Sequence, residues 1–254
     1  MKSFYACLII LHSHVLIGQN SSSLLLPALF NDSPLFSNVN VAGESKKNLR
    51  IQLLYENRFL VKDLSPKFLC FEKTYNDSRW TLSFSDWGSK YYKERSAQVN
   101  YSMKLNPTLR AGVGILIQSI SSPKSNQNTF KVYPAFGMQY QLSRNYEIFT
   151  SFKLNTGAPF YYSAYLGFST EIATSYELYF LIKSSAEEKV FGSVGIKYKR
   201  DSGNQFFLQL NNNNYPLAIA YKVLWNKFSF RISMYYHLQL GVSNHVGVGY
   251  HGSR

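Results

Sequence analysis

A two-residue hydrophobic period runs from about residue 49 to the end of this 254-residue chain, and it constrains the fold more than any other feature. Period two is the side-chain repeat of a strand with two unlike faces, and no helical period competes with it. Residues 227–237 show it most clearly: Phe228, Phe230, Ile232, Met234 and Tyr236 share one face, and Ser229, Arg231, Ser233, Tyr235 and His237 the other. Residues 95–105 repeat the scheme, with Ala97, Val99, Tyr101, Met103 and Leu105 opposite Ser96, Gln98, Asn100, Ser102 and Lys104. Counting such segments gives about 14 strands of roughly 9–13 residues, the length at which a tilted strand crosses a hydrocarbon layer. Segments near residues 49–57, 66–75 and 79–87 alternate less regularly.

Turn signals alternate in length. Short ones fall at residues 76–78, 106–107, 143–145, 173–174, 201–203 and 224–226, and longer ones near 58–65, 88–94, 119–128, 155–161, 184–189, 211–215 and 238–243. Such alternation is the mark of an up-and-down barrel with one end toward the periplasm and the other outside. The expected fold is therefore all-β, an antiparallel up-and-down transmembrane β-barrel in the bacterial outer membrane. A soluble secreted β-sandwich binding sugars or cell-wall components would alternate too. Strand number, turn asymmetry and the amino terminus favour the membrane.

Composition agrees. With 16% charged and 17% aromatic residues, disordered, coiled-coil and collagen-like chains are disfavoured. The net charge of +13 raises nucleic acid as a partner. The cations are scattered singly through strands, however, with no zinc-finger spacing or aromatic-basic motif, so no nucleic-acid partner is expected.

If the apolar faces look outward to lipid, with outer-membrane lipid and lipopolysaccharide as partners, the other faces line the interior. The lining candidates are Lys104, Arg110, Lys131, Lys153, Lys197, Lys222 and Arg231, joined by Lys183, Lys199, Glu147, Glu171 and Glu177, with basic groups in excess. Tyr101, Tyr140, Tyr146, Tyr176, Tyr198, Tyr221 and Trp225 lie near the short turns, as an interfacial aromatic girdle requires. Phe160, Tyr161, Tyr162, Tyr215 and Tyr236 gather toward the opposite end.

Residues 1–19 read as a signal peptide, with Lys2 leading an apolar stretch too short to span a bilayer. Residues 20–48 are expected to form a periplasmic leader or lumen plug, and residues 49–251 the barrel. Cys70 is then the single remaining thiol, expected as a small apolar filler.

No chemistry surfaces. His237 and His245 flank the last hairpin, and without an adjacent carboxylate they read as polar rim residues and not as a metal site. Neither Gly-x-Ser-x-Gly nor His-Glu-x-x-His occurs. No catalytic residue, metal or cofactor is expected. Gly112, Gly114, Gly247 and Gly249 sit inside strand patterns and suggest close packing in the lumen, and Pro134 suggests a bulge or rim.

Three strings carry a resemblance. They are Tyr55-Glu56-Asn57-Arg58-Phe59 with the residues to Ser65, then Trp87-Gly88-Ser89-Lys90-Tyr91-Tyr92 running on to Gly114, and Tyr235-Tyr236-His237 running on to Tyr250. They resemble outer-membrane barrels of the PorV and FadL type found with type IX secretion. The resemblance implies a non-enzymatic scaffold or interaction protein, serving secretion or surface attachment, with secreted proteins or secretion components as partners. The alternative is a transporter or porin for hydrophobic or anionic small molecules, and a basic lining favours anions.

Overall fold

The computed structural model describes residues 49–59, 65–89, 92–122, 127–154, 162–185, 190–200, 203–212 and 214–252. The signal peptide expected over residues 1–19 and the leader or plug expected over 20–48 lie outside the described residues. Fourteen strands follow in chain order: β1 (Leu49–Asn57), β2 (Lys67–Tyr75), β3 (Ser78–Gly88), β4 (Lys93–Lys104), β5 (Leu109–Ser122), β6 (Gln127–Gln141), β7 (Tyr146–Leu154), β8 (Tyr162–Ala173), β9 (Tyr176–Ser185), β10 (Phe191–Lys199), β11 (Gln205–Asn211), β12 (Leu217–Trp225), β13 (Phe228–His237) and β14 (Gly241–Gly252). Each pairs antiparallel with its sequence neighbours, and β14 returns to pair with β1, so the sheet closes without an edge.

Exposure decides which of the two faces looks out. Val99 is 46% exposed, Ile115 52%, Phe228 43% and Ile232 63%, so these side chains stand on the outer wall and are not covered by a second sheet. An apolar exterior around a polar interior is the arrangement of a barrel solvated by lipid. Ile115, between Val99 and Pro134 in register, sits on this belt. An Ile115→Arg variant is expected to lose about 2–4 kcal/mol of folding free energy, the cost of a cation on the lipid face near the midplane. Urea titration of the barrel folded into vesicles would measure it.

Turn chemistry shapes the end that holds Leu49 and Gly252. Asn76 and Asn226 adopt φ of 51° and 52° in two-residue connections, a conformation asparagine tolerates and tight hairpins require. Between β4 and β5, the Asn106 side-chain oxygen accepts hydrogen bonds from the backbone amides of Thr108 (2.9 Å) and Leu109 (2.7 Å). At the opposite end, the connection expected over residues 119–128 is mostly strand. β5 continues to Ser122 and pairs with β6 from Gln127, because each strand satisfies the other's backbone despite a Ser- and Asn-rich composition. β6 meets β7 only from Ala135 onward, so this ribbon outruns its neighbour. Pro134, with no N–H to donate, stands where that second ladder stops.

Candidate functional site in the barrel interior

Strand register places Lys104, Arg110, Lys131, Lys153, Lys197, Lys222 and Arg231 at inward positions. Lys197, Lys222 and Arg231 are buried there, and the other four are half-buried. Several cations are matched. Glu177 takes Lys197 at 2.5 Å and Lys199 at 2.9 Å, and Lys199 also reaches Glu171 at 3.6 Å. The Lys197 ammonium also donates to the Tyr179 hydroxyl. Glu72 lies 3.6 Å from both Arg50 and Arg79. In two places register sets cation against cation: Lys104 is directly opposite Arg110, and Lys222 directly opposite Arg231. Like charges so placed oppose pairing unless something negative or well hydrated lies between them.

A polar vestibule of about 250 Å³ opens at the short-turn end, lined by Lys104, Arg110, Arg144 and Lys199 together with Glu147, Glu171 and Glu177. Farther in, the wall is not uniformly polar. Phe149, Tyr165, Leu181 and Phe191 form one buried cluster, and Tyr179, Phe207, Tyr215, Ala218, Ala220 and Tyr235 another. Both lie on the β7–β13 side. Across from them, β3 and β4 present Thr81, Ser83, Gln98, Asn100 and Ser102. The β7–β13 side is thus the aromatic half, and the β1–β4 side carries hydroxyls and amides together with buried Arg50, Glu72, Arg79, Glu94 and Trp87. Glycine makes room for some of the larger groups: the Phe149 ring lies over Gly167, and the Asn100 amide over Gly114, where a Cβ would collide. Period two marks an inward position but not how far a side chain reaches across the lumen, so this aromatic half had no signal in the sequence beyond residue size.

Past β1 the chain turns back inside. Arg58 is buried and grips Glu56 through two hydrogen bonds, Nε to Oε1 at 2.7 Å and Nη2 to Oε2 at 3.1 Å. Phe59, at φ 51°, donates its amide to Ser243 Oγ (3.2 Å) and packs against His237. The reading of His245 as a rim residue without a carboxylate is corrected here. It is buried, its Nε2 is 3.0 Å from Glu56 Oε2, and its Nδ1 is 3.1 Å from the Tyr235 hydroxyl. Barrel closure brings β14 beside β1 and places Glu56 opposite His245 in register. His237 is buried as well, against Tyr215, and accepts the backbone amides of Gln239 and Leu240. Among the described residues no group of three or more His, Cys, Asp or Glu is arranged to hold a metal. Cys70 is buried and free, between Gln52 and Ser83 in register.

On the outer wall, Tyr140, Tyr146, Tyr176, Tyr198, Tyr221 and Trp225 are exposed near the short turns, and Tyr101 is half-buried against Trp80 at 4.7 Å. Trp80, itself exposed two residues after a short turn, belongs with them. Tyr215 does not stand with the outward aromatics but in the interior cluster, because it lies in the connection before β12 that folds over the lumen. Phe160 and Tyr161 lie outside the described residues.

No protein-family model and no curated protein matches the chain. Solved structures do. The Pseudomonas putida toluene transporter TodX is similar at a TM-score of 0.64 and 7% identity, covering 86% of this chain and 91% of its own. A TodX ΔS2S3 mutant, described as a monoaromatic hydrocarbon channel, is similar at a TM-score of 0.62 and 9% identity, covering 88% and 94%. The Acinetobacter baumannii outer membrane protein Omp33 is similar at a TM-score of 0.55 and 6% identity, covering 81% and 98%. The expectation of a scaffold for secretion or surface attachment is corrected by this result, since the barrels sharing the architecture include TodX, a toluene transporter whose mutant is described as a hydrocarbon channel. Closed on itself, apolar outside and matched in fold by outer-membrane proteins, this 14-strand antiparallel barrel resides in the bacterial outer membrane.

Proposed function

We propose that the barrel is a small-molecule channel or transporter that favours anions. One observation carries the reading: on an inner wall rich in Lys and Arg, Lys104 and Arg110 face each other across neighbouring strands at the mouth of the polar vestibule. A permeating anion offsets that repulsion, and a cation adds to it. The aromatic half of the interior adds a preference for solutes with an apolar body, such as an aromatic carboxylate. The TodX likeness in fold supports passage of small molecules, and the outward tyrosines and tryptophans support a membrane interface near the short turns.

In this reading the protein has no catalytic role. Kinship with the PorV and FadL type of barrel is a proposal on the strength of the short strings named above. The test is planar-bilayer recording under a KCl gradient, with benzoate added afterwards. Discrete steps whose reversal potential lies toward that of chloride, reduced by benzoate, are expected. Silence from verifiably folded protein, or preference for potassium, overturns the proposal.

A further inference from the structure

Among the described residues, the outer wall of the barrel carries charge in one place besides Lys73, which lies near a short turn. Among the described outward strand positions, the remaining charged residues are Lys67, Asp86, Lys93 and Arg95, all on β2 to β4 toward the long-connection end. Asp86 lies 3.1 Å from Arg95 and 3.4 Å from Lys93, and it is opposite Lys67 in register. Two cations thus share one carboxylate with a third in register beside it, and the side chains of Arg95 and Lys93 remain 67% and 39% exposed. An outward charge in hydrocarbon is costly and becomes tolerable near the headgroups, which sets this cluster at the level of a lipid head.

Register continues the pattern downward. Lys67, Asp86 and Arg95 lie in one row across the wall, and the next outward row toward the short turns is apolar: Leu53, Leu69, Phe84, Ala97 and Ile117 are consecutive neighbours. Both rows line a single outward groove of about 840 Å³. Ala97 is the smallest side chain in this apolar row, between Phe84 and Ile117. The groove therefore offers a greasy channel capped at one end by surplus positive charge.

The geometry points to a binding site for a phosphorylated, multiply acylated lipid of the outer leaflet, the chemistry of lipid A in lipopolysaccharide. An acyl chain lies along Leu53, Phe84 and Ala97, and a head phosphate meets Lys67 and Arg95, with Lys93 beside them. Phosphate at paired cations gains charge-assisted hydrogen bonds, and the chain gains burial. A zwitterionic phospholipid fills the groove equally well but brings less negative charge. The site stands on the outer wall and does not depend on what crosses the lumen.

The experiment is native mass spectrometry of the full barrel in detergent, titrated in turn with diphosphorylated lipid A, its dephosphorylated form, phosphatidylethanolamine and inorganic phosphate. Wild type is expected to retain diphosphorylated lipid A at least tenfold better than the dephosphorylated form. A Lys67→Gln/Arg95→Gln variant should lose that tenfold, and Ala97→Phe, which fills the groove, should weaken both forms. Lys73→Gln, outside the cluster, should change nothing. Folding of each variant is checked by its heat-dependent gel mobility. Equal retention of both lipid A forms by wild type overturns the proposal, as do equal retention by the double variant and wild type, and binding of inorganic phosphate that competes fully with the lipid.

Discussion

Replacing Glu56 with glutamine is expected to cost the barrel about 3–5 kcal/mol, the range seen when one partner of a buried ion pair is removed. Glu56 and Arg58 have side-chain exposures of 1% and 3%, and the carboxylate also faces His245 at 3.0 Å. Glutamine keeps the shape but leaves the guanidinium buried without a countercharge, so the penalty is mainly the desolvation of Arg58. The same change loosens the fold-back that holds Phe59 against His237 and Ser243. Urea unfolding in vesicles gives the loss. A double-mutant cycle with Arg58→Met apportions it, since removing both charges should cost clearly less than the sum of the single changes. A loss below about 1 kcal/mol, the range of solvated ion pairs, would mean that water reaches the pair and that this part of the lumen is wet.

Reversing both charges at the vestibule, Lys104→Glu with Arg110→Glu, is expected to turn the proposed anion preference into a preference for cations. The two residues are half-buried at the short-turn mouth, so acidic replacements there remain hydrated and foldable. A unit charge at 4 Å is worth about 4 kcal/mol at an effective dielectric constant near 20, and each 1.4 kcal/mol is about a tenfold change in partition. Even after heavy screening, the chloride-to-potassium permeability ratio should fall by about tenfold or more. The effect should shrink in molar salt, where the screening length drops to about 3 Å. Reversal potentials at low and high salt measure both. An unchanged ratio would remove Lys104 and Arg110 from the permeation path.

Both predictions rest on positions that differ in how far the sequence reveals them. Lys104 and Arg110 are legible because each continues a clean alternation, so their inward direction follows from parity within their own strands. That they confront each other follows from the short turn between β4 and β5, which sets the register locally. Glu56 and His245 have no such local link. They stand 189 positions apart, and each strand taken alone shows only an inward polar residue. The same is true of Lys67, Asp86 and Arg95, which read as three separate breaks in an apolar pattern until register lines them up across the wall.

What the sequence by itself determined was the set of two-faced strands, their number, the turn chemistry at the end near Leu49 and Gly252, and which side chains of each strand share its apolar face. These properties repeat every two residues or reside in a few adjacent ones, so each stretch of chain carries its own signal. Tertiary structure alone decided that the apolar faces look outward, the register of β1 against β14, the Glu56–Arg58–His245 network that this closure creates, the aromatic side of the lumen and the lipid-facing groove. Each of these depends on where distant strands come to lie. Closure is driven by satisfying the hydrogen-bonding groups of two edges at once, a requirement no single strand expresses.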